Sequence, residues 1–299
     1  MVYTYVLILT DFLQSYAKKY LSKLEVDHPL SITFRLNSDY LEYFNDLLRD
    51  LDDVPNLSEK IKEMNSNKIG WRGIRSELEF AKEIKKLHPE FIKPPNSSVS
   101  TVDLKCSIVG TDVFFEVKLL DDDSYKDNKI VVEVSETKLD LTTKITYSKL
   151  TEEEIEKIME RRNKAIIANK EDSFSIGNAD IKIQRNPPFP PKEINFHIKD
   201  LDDMRDKILK EFKNKEKQLQ KYSPIFLVID CLRPDYNKDN FTNFVDGKNG
   251  LFTYPETNCL NGLVARLHGK SYFFLNPNSK TGISNYVEKE MKKWFECNS

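Results

Sequence analysis

The stretch Thr101–Leu120 reads TVDLKCSIVGTDVFFEVKLL. Two runs of alternating apolar residues flank Gly110 and Thr111, the pattern of a β-hairpin closed by a two-residue, glycine-first loop. With that loop Ile108 faces Val113, Asp103 stands opposite Lys118, and Lys105 stands opposite Glu116. Side chains alternate along a strand, so these four polar residues share one face. Val102, Leu104, Cys106, Ile108, Val113, Phe115, Val117 and Leu119 then form a core-facing layer. Asp103 and Glu116 fall within diagonal cross-strand reach, which suits a shared divalent cation. The adjacent ammonium of Lys118 suits the stabilisation of an attacking water or of charge on a phosphate. The competing account is a solvent-face ion pair between Asp103 and Lys118, worth under about 1 kcal/mol.

Upstream, Trp71–Leu87 has helical spacing: Ile74, Leu78, Ala81 and then Ile84 or Lys85 recur at three- and four-residue steps. Glu77 falls inside this apolar stripe, whereas Glu79 belongs with Arg75, Ser76, Lys82 and Glu83 on the expected wet side. Burying a carboxylate costs several kcal/mol unless a cation pairs with it, so Glu77 is the functional candidate of the two. Gly70 and Gly73 are expected to let the helix approach its neighbours closely.

A helix Glu, an Asp on a following strand and Glu-X-Lys on the next strand resemble the PD-(D/E)XK nuclease superfamily, which includes restriction endonucleases and archaeal Holliday-junction resolvases. The resemblance covers residues 70 to 120 directly and 201 to 232 more loosely. It implies an α/β (α+β) fold with a restriction-endonuclease-like αβββαβ core around a central mixed sheet. By position it implies Glu77 as the helix acid, Asp103 as the central metal ligand, Glu116 as the second ligand and Lys118 as the catalytic lysine. Mg²⁺ or Mn²⁺ is the implied ion, and nucleic acid, DNA ahead of RNA, the implied substrate of an endonuclease. Homodimers are common among relatives of this kind. Thr101 and Val102 precede Asp103 where the family often carries proline. The alternative on the same fold is an interaction module for nucleic acid or protein, without turnover.

Glu-X-Lys alone carries little weight in a chain that is 31% charged, since it recurs at Glu83–Lys85, Glu136–Lys138, Glu211–Lys213 and Glu290–Lys292. Only Glu116 follows a strand supplying an acid and a helix supplying another. The pair Glu136 and Lys138 lacks such a partner and reads as a solvated strand end.

Outward from this core, residues 1–69 carry helical patterns at Tyr16–Leu24, Tyr40–Leu51 and Leu57–Met64, broken at Pro29 and Pro55. We therefore expect an N-terminal helical region over 1–69 and a nuclease-like core over 70–299, with an insertion at about 121–200. The insertion holds the acidic run Asp121–Asp123, a charged helix over Glu152–Lys170, strands near Ile181–Ile183 and Ile194–Ile198, and the proline-rich Asn186–Pro191. Arg205–Lys221 reads as a mixed-charge helix before the apolar run Pro224–Ile229, the helix-then-strand order of the family, which nominates Lys215 or Gln218 to face the substrate. A helix over Leu260–Leu267, a strand over Ser271–Leu275 and an amphipathic helix over Ile283–Phe295 complete the chain. The run from Gly262 to Ser271 ends in Gly-Lys-Ser, but its glycine spacing and the strand after it do not suit a phosphate loop.

With 299 residues and 39% hydrophobic content, the chain has ample length for a core. No segment is long enough to span a membrane. The apolar start Val2–Leu9 lacks the basic region of a secretion signal, so an intracellular, cytoplasmic location is expected. Four cysteines and four histidines are scattered without metal-ligand or nucleophile spacing. A net charge of −2 argues against a global positive field that coats nucleic acid, while leaving room for a local groove.

Overall fold

The structure is a computed structural model that describes residues 15–93, 102–120, 125–126, 129–136, 139–185, 196–219, 221–231, 236–267 and 269–296. The chain runs through helices α1 (Ser15–Leu21), α2 (Pro29–Leu36), α3 (Ser38–Asp50), α4 (Leu57–Ser66) and α5 (Trp71–Glu83). Strands β1 (Glu90–Phe91), β2 (Leu104–Ile108) and β3 (Thr111–Leu120) follow. Next come β4 (Tyr125–Lys126), β5 (Lys129–Glu136), β6 (Leu141–Tyr147), α6 (Glu152–Ile167), β7 (Asp172–Ile176) and β8 (Ala179–Arg185). The last part holds α7 (Phe196–Leu219), β9 (Ile225–Cys231), α8 (Lys238–Asp246), β10 (Gly262–Leu267), β11 (Lys270–Leu275) and α9 (Asn285–Glu296). The protein is thus mixed α/β, with a mixed central sheet and a second sheet. Among the described residues no helix is long and apolar enough to cross a membrane.

Two compact units divide the chain, one of residues 1–52, 58–74 and 122–191, the other of 53–57, 75–121 and 192–299. The stretch read from sequence as an insertion therefore groups with the N-terminal helices. In that unit β4, β5, β6, β8 and β7 form an antiparallel sheet in this order. Strict alternation in β8, where Ala179, Ile181 and Ile183 are buried and Asp180, Lys182 and Gln184 exposed, gives the sheet one apolar face. Ile32 and Leu36 of α2 and Ile155 and Ile158 of α6 pack in the same cluster as Ile145, Tyr147 and Ile181. Pro29 opens α2 rather than breaking the chain: at the first helical position its missing N–H costs nothing, and His28 Nδ1 caps the helix by accepting the Leu30 N–H. Helix α6 begins with a capping box between Thr151 and Glu154.

The other unit holds the sheet β1-β2-β3-β9-β10-β11, with β3–β9 and β9–β10 parallel and the remaining pairs antiparallel. All seven residues of β9 are buried, as expected for a central strand covered on both faces. On one face Ile225, Leu227 and Ile229 pack with Leu201, Met204, Ile208 and Phe212 of α7. On the other, Phe115 meets Phe226 and Phe80 of α5, which in turn stacks on Phe295 of α9.

Several sequence expectations require correction. Residues 260–267 hold no helix; Gly262–Leu267 is a strand parallel to β9, because a short run of buried apolar residues has no period that separates the two states. The strand expected near Ile198 is instead the start of α7 from Phe196. A Cβ at Gly73 would meet nothing within 4 Å, so close packing is not what that glycine provides. The segments Val2–Leu9, Asp121–Asp123 and Asn186–Pro191 lie outside the described residues.

Candidate active site

The β2–β3 hairpin forms, but its turn is one residue earlier than expected. Val109 and Gly110, at φ 52° and 73°, make the two-residue loop, and Ile108 pairs with Thr111. Partners shift by two, which preserves the faces: Lys105 pairs with Phe114 rather than Glu116, and Leu104 with Phe115. Leu104–Phe115 is the last regular pair, and Asp103 follows it at a bend beside the same stretch of β3. The Asp103 N–H donates to the Phe115 carbonyl at 3.0 Å, and Asp103 Oδ2 accepts the Val117 N–H at 2.7 Å. Its carboxylate is thereby fixed against the main chain of the strand that carries Glu116.

Lys118 Nζ lies 2.9 Å from Glu116 Oε1 on the same face of β3. Glu116 is only 1% exposed, while a quarter of the Lys118 side chain reaches solvent. The hairpin thus gathers two carboxylates and one ammonium at the junction of two strands. A buried carboxylate with an adjacent amine has the charge and reach to grip a phosphate or a hard cation. The core-facing layer is buried as expected except Leu119, which is half-buried.

Glu77 is 8% exposed, so the acid inside the apolar stripe is indeed inward-facing. Its helix, however, covers the Phe115 side of β3, and Glu116 and Lys118 alternate with Phe115 onto the opposite side. The Glu116–Lys118 pair and the Asp103 carboxylate meet along residues 116–118 of β3, and Glu77 is buried on the helix that packs on Phe115 through Phe80. Among the described residues no three His, Cys, Asp or Glu side chains are grouped to hold a metal ion. Lys215 and Gln218 lie on α7, but their side chains, like Lys138, are outside the described residues.

A second charged cluster was not anticipated. Asp230 in β9 is 4% exposed and lies 3.0 Å from Arg266 Nη1 of β10; Arg266 Nε reaches Glu83 Oε2 at 2.8 Å. Ser271 donates to the other Glu83 oxygen, and Glu79, expected to be solvated, pairs with Arg75 at 3.2 Å. Burial opposes the Arg266 charge, but Asp230 and Glu83 outweigh it and hold the guanidinium above its ordinary pKa. The signal for this network was the lone acid in the apolar run IFLVIDC, which demands a partner. Cys106 is pushed up to about 12 by burial and is an inert core thiol.

No protein-family model, curated protein or solved structure matches the chain.

Proposed function

We propose that the chain is a metal-dependent nuclease of the PD-(D/E)XK type that hydrolyses phosphodiester bonds, with DNA ahead of RNA as substrate. The reading is carried by one observation. Within the six-stranded unit the elements follow α5-β1-β2-β3-α7-β9, with β3 and β9 parallel, and Asp103, Glu116 and Lys118 come together on the β2–β3 pair. That succession is αβββαβ, the order described for the restriction-endonuclease-like core.

The donor set supports Mg²⁺ or Mn²⁺, since Asp103 and Glu116 offer only oxygens, and magnesium is commonly held by one or two carboxylates with water and substrate phosphate as further ligands. Such an ion supplies Lewis acidity at the phosphate and a more acidic water. Asp103, anchored by the Val117 N–H, and Glu116 would hold it. The ammonium of Lys118, 2.9 Å from Glu116, orients the attacking water and offsets negative charge developing on the phosphate. Glu77 enters as the buried acid of the flanking helix that assists the other two.

Plasmid, linear and branched DNA and RNA, each with Mg²⁺ or Mn²⁺, test the reading. Asp103→Ala and Lys118→Ala should each lower cleavage by about a hundredfold or more. Equal cleavage by wild type and both variants would remove the assignment. A binding module without turnover is favoured by the tight Glu116–Lys118 pairing and by the lack of a three-donor group among the described residues. Calorimetry separates the two: Mg²⁺ heat that Asp103→Asn abolishes belongs to the nuclease reading alone.

A further inference from the structure

A cleft of about 980 Å³ opens in the six-stranded unit beside the C-terminal end of α5, the turn Lys85–Leu87 and the last turn of α9. It lies at the upper end of the usual range for ligand clefts, roughly 300–1,000 Å³. Asp103, Glu116 and Lys118 do not line it, so it is separate from the hairpin site.

Lys82, Lys86 and His88 stand exposed on its rim, and Trp294 contributes a half-buried indole. Cations near a helix C-terminus are favoured by the macrodipole, which accounts for the lysines alone. The dipole explains neither the indole nor the opening they border. Every acid on the lining is matched: Glu83 with Arg266 at 2.8 Å, Asp53 with Lys85 at 2.9 Å, and Glu90 with Lys105 at 3.1 Å. Lys82, Lys85, Lys86 and Arg266 face Asp53, Glu83 and Glu90 on the lining, so the charge left over there is positive.

We propose that this cleft binds a single-stranded segment of nucleic acid, with phosphates on Lys82, Lys86 and His88 and a base stacked on Trp294. The ligand class rests on the nuclease reading; the preference for single strands comes from the cleft itself. An indole face accepts an unstacked base of any sequence, and lysines track the backbone, whereas paired bases keep their faces covered. A cleft of this kind would hold an unpaired strand away from the hairpin residues.

Fluorescence anisotropy of the full chain with a labelled oligothymidylate, with Ca²⁺ replacing Mg²⁺, tests this. Lys86→Glu, at an exposed site that leaves the fold alone, and Trp294→Ala should each weaken binding about tenfold. Lys86→Glu should also lower the slope of log K against log salt by about 0.7 or more. Trp294→Phe keeps an aromatic face and should retain most of the affinity. Binding unchanged in Lys86→Glu and Trp294→Ala, while Asp103→Ala still abolishes cleavage, overturns the cleft assignment and spares the nuclease. Oligonucleotide binding lost in both cleft variants of a protein that cleaves nothing supports the cleft and removes the nuclease.

Discussion

In the five-stranded sheet Glu133, Lys144, Asp180 and Lys182 alternate with buried apolar residues and reach solvent, whereas in the six-stranded sheet Glu116 and Asp230 lie inside strands with almost no exposure. The difference follows from what covers each sheet. An antiparallel sheet with one wet face can leave every charge in water, where an ion pair such as Lys144–Glu133 at 3.6 Å adds little. The parallel β3–β9–β10 centre is covered on both sides, so each acid there must have a cation built beside it: Lys118 for Glu116 and Arg266 for Asp230. Charge in the second sheet is a matter of solubility; charge in the first is a commitment of the core.

The sharpest way to break this comparison is to remove one cation from each sheet. Arg266→Met strands Asp230 and Glu83 and should cost about 3–5 kcal/mol in urea unfolding, while Lys144→Met should stay within about 0.5 kcal/mol. Equal effects would show that the Arg266 network is wetter than its geometry implies.

Polar burial in the five-stranded unit has its own test at His28. Its ring is fully buried, capping α2 through Nδ1 and donating from Nε2 to the Met64 carbonyl at 3.1 Å. Burial holds the imidazole down to about 4, against an ordinary value of 6.5, with Lys68 adding to the depression and the Met64 contact opposing it. Above pH 6.5 both folded and unfolded forms are neutral and the stabilisation is complete. As pH falls the unfolded chain takes up its proton first, so about 3 kcal/mol is lost by pH 4. Unfolding curves between these limits should show that slope in wild type and a flatter one in His28→Asn, which keeps a capping acceptor.

The smallest effect contrasts the two hairpins. Between β7 and β8 the first loop position, at φ 56°, is Gly177; between β2 and β3 it is Val109, 65% exposed at φ 52°. A β-branched residue is strained there, and Asn-Gly is the preferred pair, so Val109→Asn should raise stability by about 1 kcal/mol. An unchanged denaturation midpoint would mean that the valine is compensated elsewhere.

These particulars show how far the sequence carried. The strands of the hairpin were legible from alternation, yet Val109 looked like strand because valine favours strands, and the turn took it anyway; the two-residue error in register followed from that single residue. Amphipathic helices such as α5 and α9 announced themselves by period. Gly262–Leu267 did not, since Leu260, Leu263, Val264 and Leu267 fit a helix as well as a strand buried on both faces. The pairing of Asp103 with the chain bearing Glu116 was readable because turn geometry ties them together. Arg266, Asp230 and Glu83 come from distant parts of the chain, and no local spacing joins them.

The parallel pairing of β3 with β9 has a consequence for the order of assembly. Everything from Asp121 to Pro224 must be synthesised before Leu120's strand can meet its neighbour, and within that span β5 closes on β6 and β7 on β8 through short antiparallel connections, with β6 meeting β8 across α6 and β7. Local contacts form early and distant ones pay the entropy of a long loop, so the five-stranded sheet is set to form on the ribosome while the sheet that carries Glu116 still waits for its central strand. The hairpin residues therefore acquire their final surroundings only after Ile225–Cys231 has been made.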